Sequence, residues 1–445
     1  MKRYLQITFF LLLCFPFISA AQGFRLPEGK KTEKVKFELI NNLIVIPMEV
    51  NGAKLSFILD SGVTRPILFN LFDQDSLQIN NVSEITIKGL GEDGGIQALK
   101  SGGNIFRLKQ IQNPQQLLYV VLDNDLNFSP SLGVPIHGII GYDLFRDFVV
   151  EINYSSKVLK FHDPKYFQPK EHKKTSVLPL AILHRKPYIE GNVFLDEKED
   201  IPVKLMVDTG SSDAVWLFPD EEKGMRVPDK SYEDFLGKGL GGKIYGKRTK
   251  IKSVNIGGFQ MNDAKAAFPH MDSFSAFGTR KDRNGSVGGE ILKRFNIIFD
   301  YGNNKVFLKK NRLFNAPFQY NFSGIELQHN GVRYIAERIA NYGGAGKVDD
   351  KSPLGDVSII LDNRTKISVV PEIIVSGIRA GSPAEEAGLQ EGDVILAVNG
   401  KRVHTYKLQE ILGLLNAKEG KRMRVLINRY GKDVLFSFVL TNAFK

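Results

Sequence analysis

The sequence predicts a mostly β protein, with two β-barrel-like lobes followed by a smaller α+β domain. Three observations lead there. A block with an Asp-Ser/Thr-Gly motif and a later glycine segment is written twice between residues 32 and 313. Short runs rich in Val, Ile, Leu and Phe alternate with turn signals throughout that span, and long amphipathic helices are scarce before residue 380. Beyond about residue 370 the pattern changes to strand runs joined by helix signatures.

The chain has 445 residues, too many for one comfortable core, so several domains are expected. Its 42% hydrophobic and 24% charged residues argue against global disorder. Lys2 and Arg3 precede an apolar run from Ile7 to Ile18, and Ser19, Ala20 and Ala21 follow. That is the layout of a secretory signal peptide over 1–21, cleaved after Ala20 or Ala21; an uncleaved N-terminal anchor is the alternative. Pro16 and the shortness of the run disfavour a spanning helix. The single cysteine, Cys14, lies in this leader, so the mature chain is expected to hold no disulfide and no cysteine metal site. Leu13 is a poor residue ahead of a lipid-modified cysteine. The net charge of +11 is spread along the chain without a basic stripe interleaved with aromatics, so no nucleic acid partner is expected. An exported location, periplasmic or extracellular, follows.

The first lobe, 32–167, carries Phe57-Ile58-Leu59-Asp60-Ser61-Gly62 and then Gly138-Ile139-Ile140-Gly141. The second lobe, 175–313, carries Leu205-Met206-Val207-Asp208-Thr209-Gly210 and then Gly285-Ser286-Val287-Gly288. Asp60 lies 81 positions before Gly141 and Asp208 lies 80 before Gly288, so the two motifs recur in order and at nearly the same spacing. Strands are predicted over 43–50, 54–59, 147–154, 158–162, 203–208, 295–300 and 305–309, separated by Asn51-Gly52, Gly257-Gly258 and Tyr301-Gly302-Asn303-Asn304. The polar, proline-bearing stretch 168–174 suits a link between the lobes.

Two carboxylates held close cannot both ionise easily and share a proton. One can then act as base toward water while the other donates to a carbonyl. An aspartate before glycine also caps turns, but that reading does not explain the doubled pair of motifs. The span 35–313 resembles the pepsin-like and retropepsin-like aspartic peptidases on Asp60-Ser61-Gly62, Asp208-Thr209-Gly210, Ile139-Ile140-Gly141 and the weaker match Ser286-Val287-Gly288. The resemblance implies that Asp60 and Asp208 are catalytic and that Ser61, Gly62, Thr209, Gly210, Gly141 and Gly288 support them. It implies no metal and no cofactor. Ser211 follows the second motif where the first has Val63. A hydroxyl there bonds the carboxylate in pepsin-like enzymes, so Asp208 is expected to ionise more readily than Asp60. The family covers its substrate with a glycine-rich hairpin. Residues 89–103 lack Tyr and Trp, whereas Gly239-Leu240-Gly241-Gly242-Lys243-Ile244-Tyr245-Gly246 offers Tyr245 near a flap tip, or an ordinary loop tyrosine. The seven histidines form no metal-ligand pair, and His137 is expected to be structural.

At the C-terminal end, Ser382 can cap a short helix with Pro383 in its first turn, Gly388 can end it, and Asn399-Gly400 marks a turn. Residues 405–417 read as an amphipathic helix and 422–440 as a hairpin. The span 370–442 resembles a PDZ domain, within a region 316–445. The resemblance implies capture of an extended peptide beside a helix, with its C-terminal carboxylate on backbone amides. Phe322-Ser323-Gly324-Ile325 is the candidate loop for that carboxylate, or else a linker strand. Residues 329–370 then form an insertion: a lid, a partner surface or a loose loop. The expected function is an exported aspartic endopeptidase acting on peptide or unfolded protein, with the PDZ-like module for substrate or partner peptides. The alternative is an exported, non-catalytic peptide-binding protein; an assembly factor working through the PDZ groove is a third reading.

Overall fold

The computed structural model describes residues 23–71, 77–89, 95–123, 126–169, 173–196, 200–277, 283–340 and 363–444. The predicted leader and Cys14 lie outside them. The fold is mostly β, as expected.

The first lobe comprises β1 (Thr32–Lys36), β2 (Glu38–Ile40), β3 (Leu43–Val50), β4 (Ala53–Leu59), β5 (Ile67–Leu68), β6 (Val82–Ile87), β7 (Ile96–Leu108) and β8 (Ile111–Val121). It continues through α1 (Ser129–Leu132), β9 (Gly138–Ile140), α2 (Tyr142–Asp147), β10 (Val149–Asn153) and β11 (Val158–His162). The second lobe comprises β12 (Thr175–Pro179), β13 (Ala181–Leu183), β14 (Lys186–Phe194), β15 (Asp200–Val207), β16 (Val215–Leu217), β17 (Ser231–Gly239), β18 (Gly242–Ile256) and β19 (Phe259–Pro269). It ends with β20 (Gly285–Val287), α3 (Gly289–Leu292), β21 (Phe295–Asp300) and β22 (Lys305–Lys310).

The repeat read from the motifs is a repeat of whole sheets. Lobe 1 orders its strands β2-β3-β4-β9-β5-β8-β7-β6, and lobe 2 orders them β13-β14-β15-β20-β16-β19-β18-β17. Each closes on itself through one further pairing, β3 with β7 and β14 with β18. A third sheet, β1-β11-β10-β21-β22-β12, takes three strands from each lobe. Its centre is the antiparallel pair β10 and β21, with Ile152 opposite Ile297. The sheet is amphipathic. Val150, Ile152, Ile297 and Phe299 turn into a buried apolar cluster that runs on into both lobes, so the lobes share a core there.

Several hairpins turn on residue pairs in the left-handed region. Asn41-Asn42, Asn51-Gly52, His184-Arg185, Gly257-Gly258 and Tyr430-Gly431 all have positive φ at both positions. Two-residue turns of this hand match the twist of the strands they join.

The C-terminal module has its own core of Ile325, Leu327, Val375, Ile395, Ile411, Val425 and neighbours. It is built from β23 (Ile325–Ala340), β24 (Asn363–Ile378), α4 (Pro383–Glu386), β25 (Val394–Val398), β26 (Lys401–Arg402), α5 (Leu408–Leu415), β27 (Arg422–Arg429) and β28 (Lys432–Val439). Ser382 caps α4 by accepting from the Glu385 N–H, with Pro383 in the first turn. The expected insertion at 329–370 is different in form. Its described parts prolong β23 and β24, paired from Val332 with Pro371 out to Ala340 with Asn363. Continuous strand pairing satisfies the backbone, which a loose loop would leave to water. Residues 341–362, including Gly343–Gly346, lie outside the described residues.

The module touches both lobes. The Arg379 guanidinium lies over the Tyr232 ring of β17 at 4.6 Å, and Phe444 packs on Tyr232 and Tyr320 with centroids 5.3 and 5.2 Å away. On the other side, Gln409 Nε2 of α5 donates to the Leu132 carbonyl of α1, 3.5 Å away.

Candidate active site

Each motif aspartate ends the central strand of its lobe. The Asp60 N–H donates to the Ile140 carbonyl at 2.8 Å, and the Asp208 N–H donates to the Val287 carbonyl at 2.9 Å. The aspartate loops are thereby hung on the segments that end at Gly141 and Gly288. Those glycines are required by space, not by handedness, for neither has a positive φ. A β-carbon on Gly141 would overlap the Asp60 carbonyl, and one on Gly288 would overlap the Asp213 carbonyl. Gly62 and Gly210 obey the same rule. A β-carbon on Gly210 would overlap the Asp60 carboxyl itself, while one on Gly62 would stand 3.1 Å from Asp60 Oδ1 and 3.4 Å from Asp208 Oδ1.

The two loops are locked to each other by reciprocal hydrogen bonds. Thr209 Oγ1 donates to the Leu59 carbonyl at 2.7 Å and accepts from the Ser61 N–H at 2.9 Å. Ser61 Oγ donates to the Val207 carbonyl at 2.6 Å and accepts from the Thr209 N–H at 3.1 Å. Both hydroxyls are fully enclosed, so each bond also satisfies a backbone group that water cannot reach.

Asp60 and Asp208 meet at this junction, one Oδ1 of each within 3.4 Å of where a Gly62 β-carbon would sit, and both are partly accessible to solvent. The Gly62 N–H donates to Asp60 Oδ1 at 2.7 Å and the Gly210 N–H to Asp208 Oδ1 at 3.1 Å. Burial, then the neighbouring Asp208 charge, push the Asp60 carboxyl up to about 7. Burial also raises Asp208, but Arg283, Lys186, the Gly210 N–H and the bond with Asp60 oppose it. The pair therefore favours one shared proton, held mainly by Asp60. The direction agrees with the expectation from the sequence; the cause differs. Ser211 is not among the groups that lower Asp208. Its Oγ instead faces Gly288, 2.9 Å from where a β-carbon would sit. Lys186, at the start of β14, and Arg283, just before β20, are the residues that sequence reasoning missed. Neither falls in a motif, and the pairing of β14 and β20 with β15 within lobe 2 brings them near the pair.

Further buried charges brace the loops. Asp143 and Glu290 stand two positions after Gly141 and Gly288, a doubled acid that the internal repeat could have revealed. Asp143 accepts from Gln116 Nε2 at 2.9 Å and from Arg146 at 3.0 Å. Glu290 pairs with Lys265 at 2.6 Å. Burial pushes Asp213 up, but Arg248, Lys265 and the Trp216 N–H outweigh it and hold the carboxyl well below its usual range. Arg248 also binds Asp234 of β17 at 2.6 Å, tying the flap strand to the loop that follows Asp208. His137 is structural: its ring accepts from the Ser56 N–H at 3.0 Å.

Hairpins from both lobes, not from lobe 2 alone, meet at their tips. The lobe 2 hairpin turns at Leu240-Gly241 between β17 and β18. Its lobe 1 counterpart, β6 with β7, brings Gly89 so close that a β-carbon there would overlap Leu240. Leu240 packs on the lobe 1 cluster that includes Val63, Ile87 and Phe69. Tyr245 is not at the tip. It lies within β18 opposite Phe235, ring centroids 5.6 Å apart, and is 39% exposed.

In the C-terminal module, Phe322, Ser323, Gly324 and Ile325 form a loop that enters β23, with Gly324 at φ +79°. A β-carbon on Gly324 would overlap the Ser382 side chain. Among the described residues no group of His, Cys, Asp or Glu is placed to hold a metal ion, and no helix is long and apolar enough to cross a membrane.

Two family models match parts of the chain. The family model described as an aspartyl protease matches residues 194–282, which include Asp208 but not Asp60. The model described as a PDZ domain matches residues 374–429. The chain thus joins an aspartyl protease domain to a C-terminal PDZ domain. The carboxy-terminal processing protease CtpA of Bacillus subtilis (strain 168) is 42% identical over 59 residues, 13% of this chain and 12% of that protein. The chain therefore spans about an eighth of that relative's length. The crystal structure of the aspartic proteinase from Irpex lacteus aligns at 14% identity and a TM-score of 0.39, covering 64% of this chain and 99% of that one.

Proposed function

We propose that this chain is an exported aspartic endopeptidase whose reaction is carried by Asp60 and Asp208. One observation supports this above the rest: two carboxyls from equivalent loops meet where the loops are locked together, and hairpin tips from the two lobes touch. An extended peptide would lie between those hairpins and the pair.

In the proposed reaction Asp208, the ionised member, takes a proton from water as its oxygen bonds to the scissile carbonyl carbon. Asp60 gives its proton to the carbonyl oxygen, forming a neutral tetrahedral diol. The C–N bond then breaks as Asp208 returns its proton to the nitrogen. Asp60 regains a proton from the diol hydroxyl, and a carboxylic acid and an amine leave. Burial and the neighbouring charge help the shared proton persist toward neutral pH. Digestion of a peptide library by the purified chain, with and without pepstatin, tests the reading. Asp60→Asn and Asp208→Asn are each expected to lower cleavage by about 100-fold or more. Near-wild-type cleavage by either variant would refute the assignment, and no cleavage by the wild type from acid to neutral pH would favour a non-catalytic peptide-binding protein.

Export rests on the N-terminal layout of Lys2, Arg3, the apolar run and Ser19-Ala20-Ala21. A C-terminally tagged chain expressed in a bacterial host is expected outside the cytoplasm, shortened to begin at Ala21 or Gln22. A full-length cytoplasmic product would contradict it.

A further inference from the structure

The PDZ-like groove lies between the outer edge of β23 and helix α5, and its peptide-binding groups are already engaged. β23 is the edge strand of its sheet and pairs only with β24. Ile325 stands opposite Ile378, and the adjoining bond runs from the Arg379 N–H to the Gly324 carbonyl at 2.9 Å. In an antiparallel ladder the next residue then turns its own N–H and C=O the other way. Those groups of Ile325 therefore face the groove, at the first station an added strand would occupy.

That station is filled from within. Asn321 Oδ1 accepts from the Gly324 N–H at 2.8 Å, and Asn321 Nδ2 donates to the Ile325 carbonyl at 3.1 Å. One side-chain amide thus occupies the Ile325 carbonyl and the Gly324 N–H together. Ser323 Oγ accepts from the Ile325 N–H at 3.2 Å, and Asn416 Oδ1, at the end of α5, accepts from the Ser323 N–H at 3.4 Å. The Ser323, Gly324 and Ile325 amides of the candidate carboxylate loop all have side-chain acceptors. A carboxylate binding there would have to displace them and recover their energy before any net gain.

The other end of the groove meets the first lobe. Gly133, which ends α1 with φ +70°, is seated so that a β-carbon would stand 2.9 Å from Leu408 Cβ and 3.5 Å from His329 Cε1. Leu408 begins α5 and His329 lies on β23, so the α1 turn sits across the mouth between strand and helix. The Leu132 carbonyl adjoining it accepts from Gln409.

We infer that the partner of this groove is the chain itself: Asn321 fills the carboxylate end, the Leu132-Gly133 turn of lobe 1 fills the far end, and free C-terminal peptides are not its ligands. The module then joins the two lobes. It holds α1 of lobe 1 through α5, and the flap strand β17 of lobe 2 through Arg379 on Tyr232.

Binding to the full chain tests this without reference to proteolysis. Fluorescent short peptides with an apolar C-terminus, as the free acid and as the amide, are titrated onto the wild type, Asn321→Ala and Asn321→Asp. The wild type and Asn321→Asp, which keeps the acceptor on Gly324, are expected to show no preference for the acid. Asn321→Ala frees the Gly324 N–H and is expected to prefer the acid by tenfold or more. A wild-type chain that binds the acid tenfold tighter than the amide overturns the inference. So does an Asn321→Ala chain as indifferent as the wild type. Should Asn321→Ala not fold, hydrogen exchange on the wild type decides: slow Gly324 and Ile325 amides support the closed loop, and fast ones overturn it.

Discussion

At the scale of single residues the site depends on distances too short for a methyl group. Gly210 and Gly62 hold the same motif position, yet only Gly210 has the Asp60 carboxyl where its β-carbon would be. Gly210→Ala is therefore expected to abolish cleavage and lower stability by about 1–3 kcal/mol as the loop shifts, while Gly62→Ala retains measurable activity. Equal losses in thermal melts and peptide assays would contradict this. The electrostatics make a second prediction. Lys186 lowers both carboxyls, so Lys186→Met should raise both. The singly protonated pair would then persist to higher pH, and the alkaline limb of the activity profile, expected near the Asp60 value of about 7, should move upward. A limb that stays or moves down would remove Lys186 from this role.

At the scale of elements the flaps and the C-terminal groove are where the structure adds most. The hairpin tips meet because Gly89 leaves room for Leu240, whose side chain rests on the lobe 1 cluster. That contact is partial and is worth about 1 kcal/mol. Leu240→Asp should separate the tips, raising KM about fivefold while changing kcat less; steady-state kinetics with an unchanged KM would contradict it. Glu326 of β23 gives a pH-dependent reading of the module's seat on β17. Burial, then the Asp234 charge, push its carboxyl up to about 7. Since the folded value is raised above the ordinary one, the folded state loses stability as pH climbs from about 4.5 to about 7. Glu326→Gln should abolish that part of the slope in melting temperature. An unchanged slope would place the titration elsewhere.

At the scale of the whole molecule, two lobes are fastened by one shared sheet and one hydroxyl lock. Thr209→Val removes an acceptor from the Ser61 N–H and a donor from the Leu59 carbonyl, both across the lobe boundary. Leaving two such buried groups unpaired is expected to cost about 2–4 kcal/mol, seen as a lower denaturant midpoint together with lost activity. A variant as stable as the wild type would show that the Thr209 hydroxyl is not needed to hold the lobes. The module adds a second span, since α5 touches lobe 1 and Arg379 touches the flap strand of lobe 2.

The fold class, the duplication and the correspondence of the two aspartates were legible in the sequence. These follow from period, motif order and spacing, which are local or repeat along the chain. Hairpin turns and the Ser382 cap were legible for the same reason, because their residue types act on their own backbone. Features that emerge only on folding involve residues distant in sequence. Lys186 and Arg283 reach the pair through the pairing of β14 and β20 with β15, Gly89 meets Leu240 only when both hairpins fold, and the Leu132-Gly133 turn reaches α5 from 275 positions away. Ser211 shows the limit from the other side. Its place after the motif suggested a bond to Asp208, but Gly288 leaves a space that its hydroxyl faces instead. Side-chain direction at such a point is set by packing, and packing is not written in any single stretch of sequence.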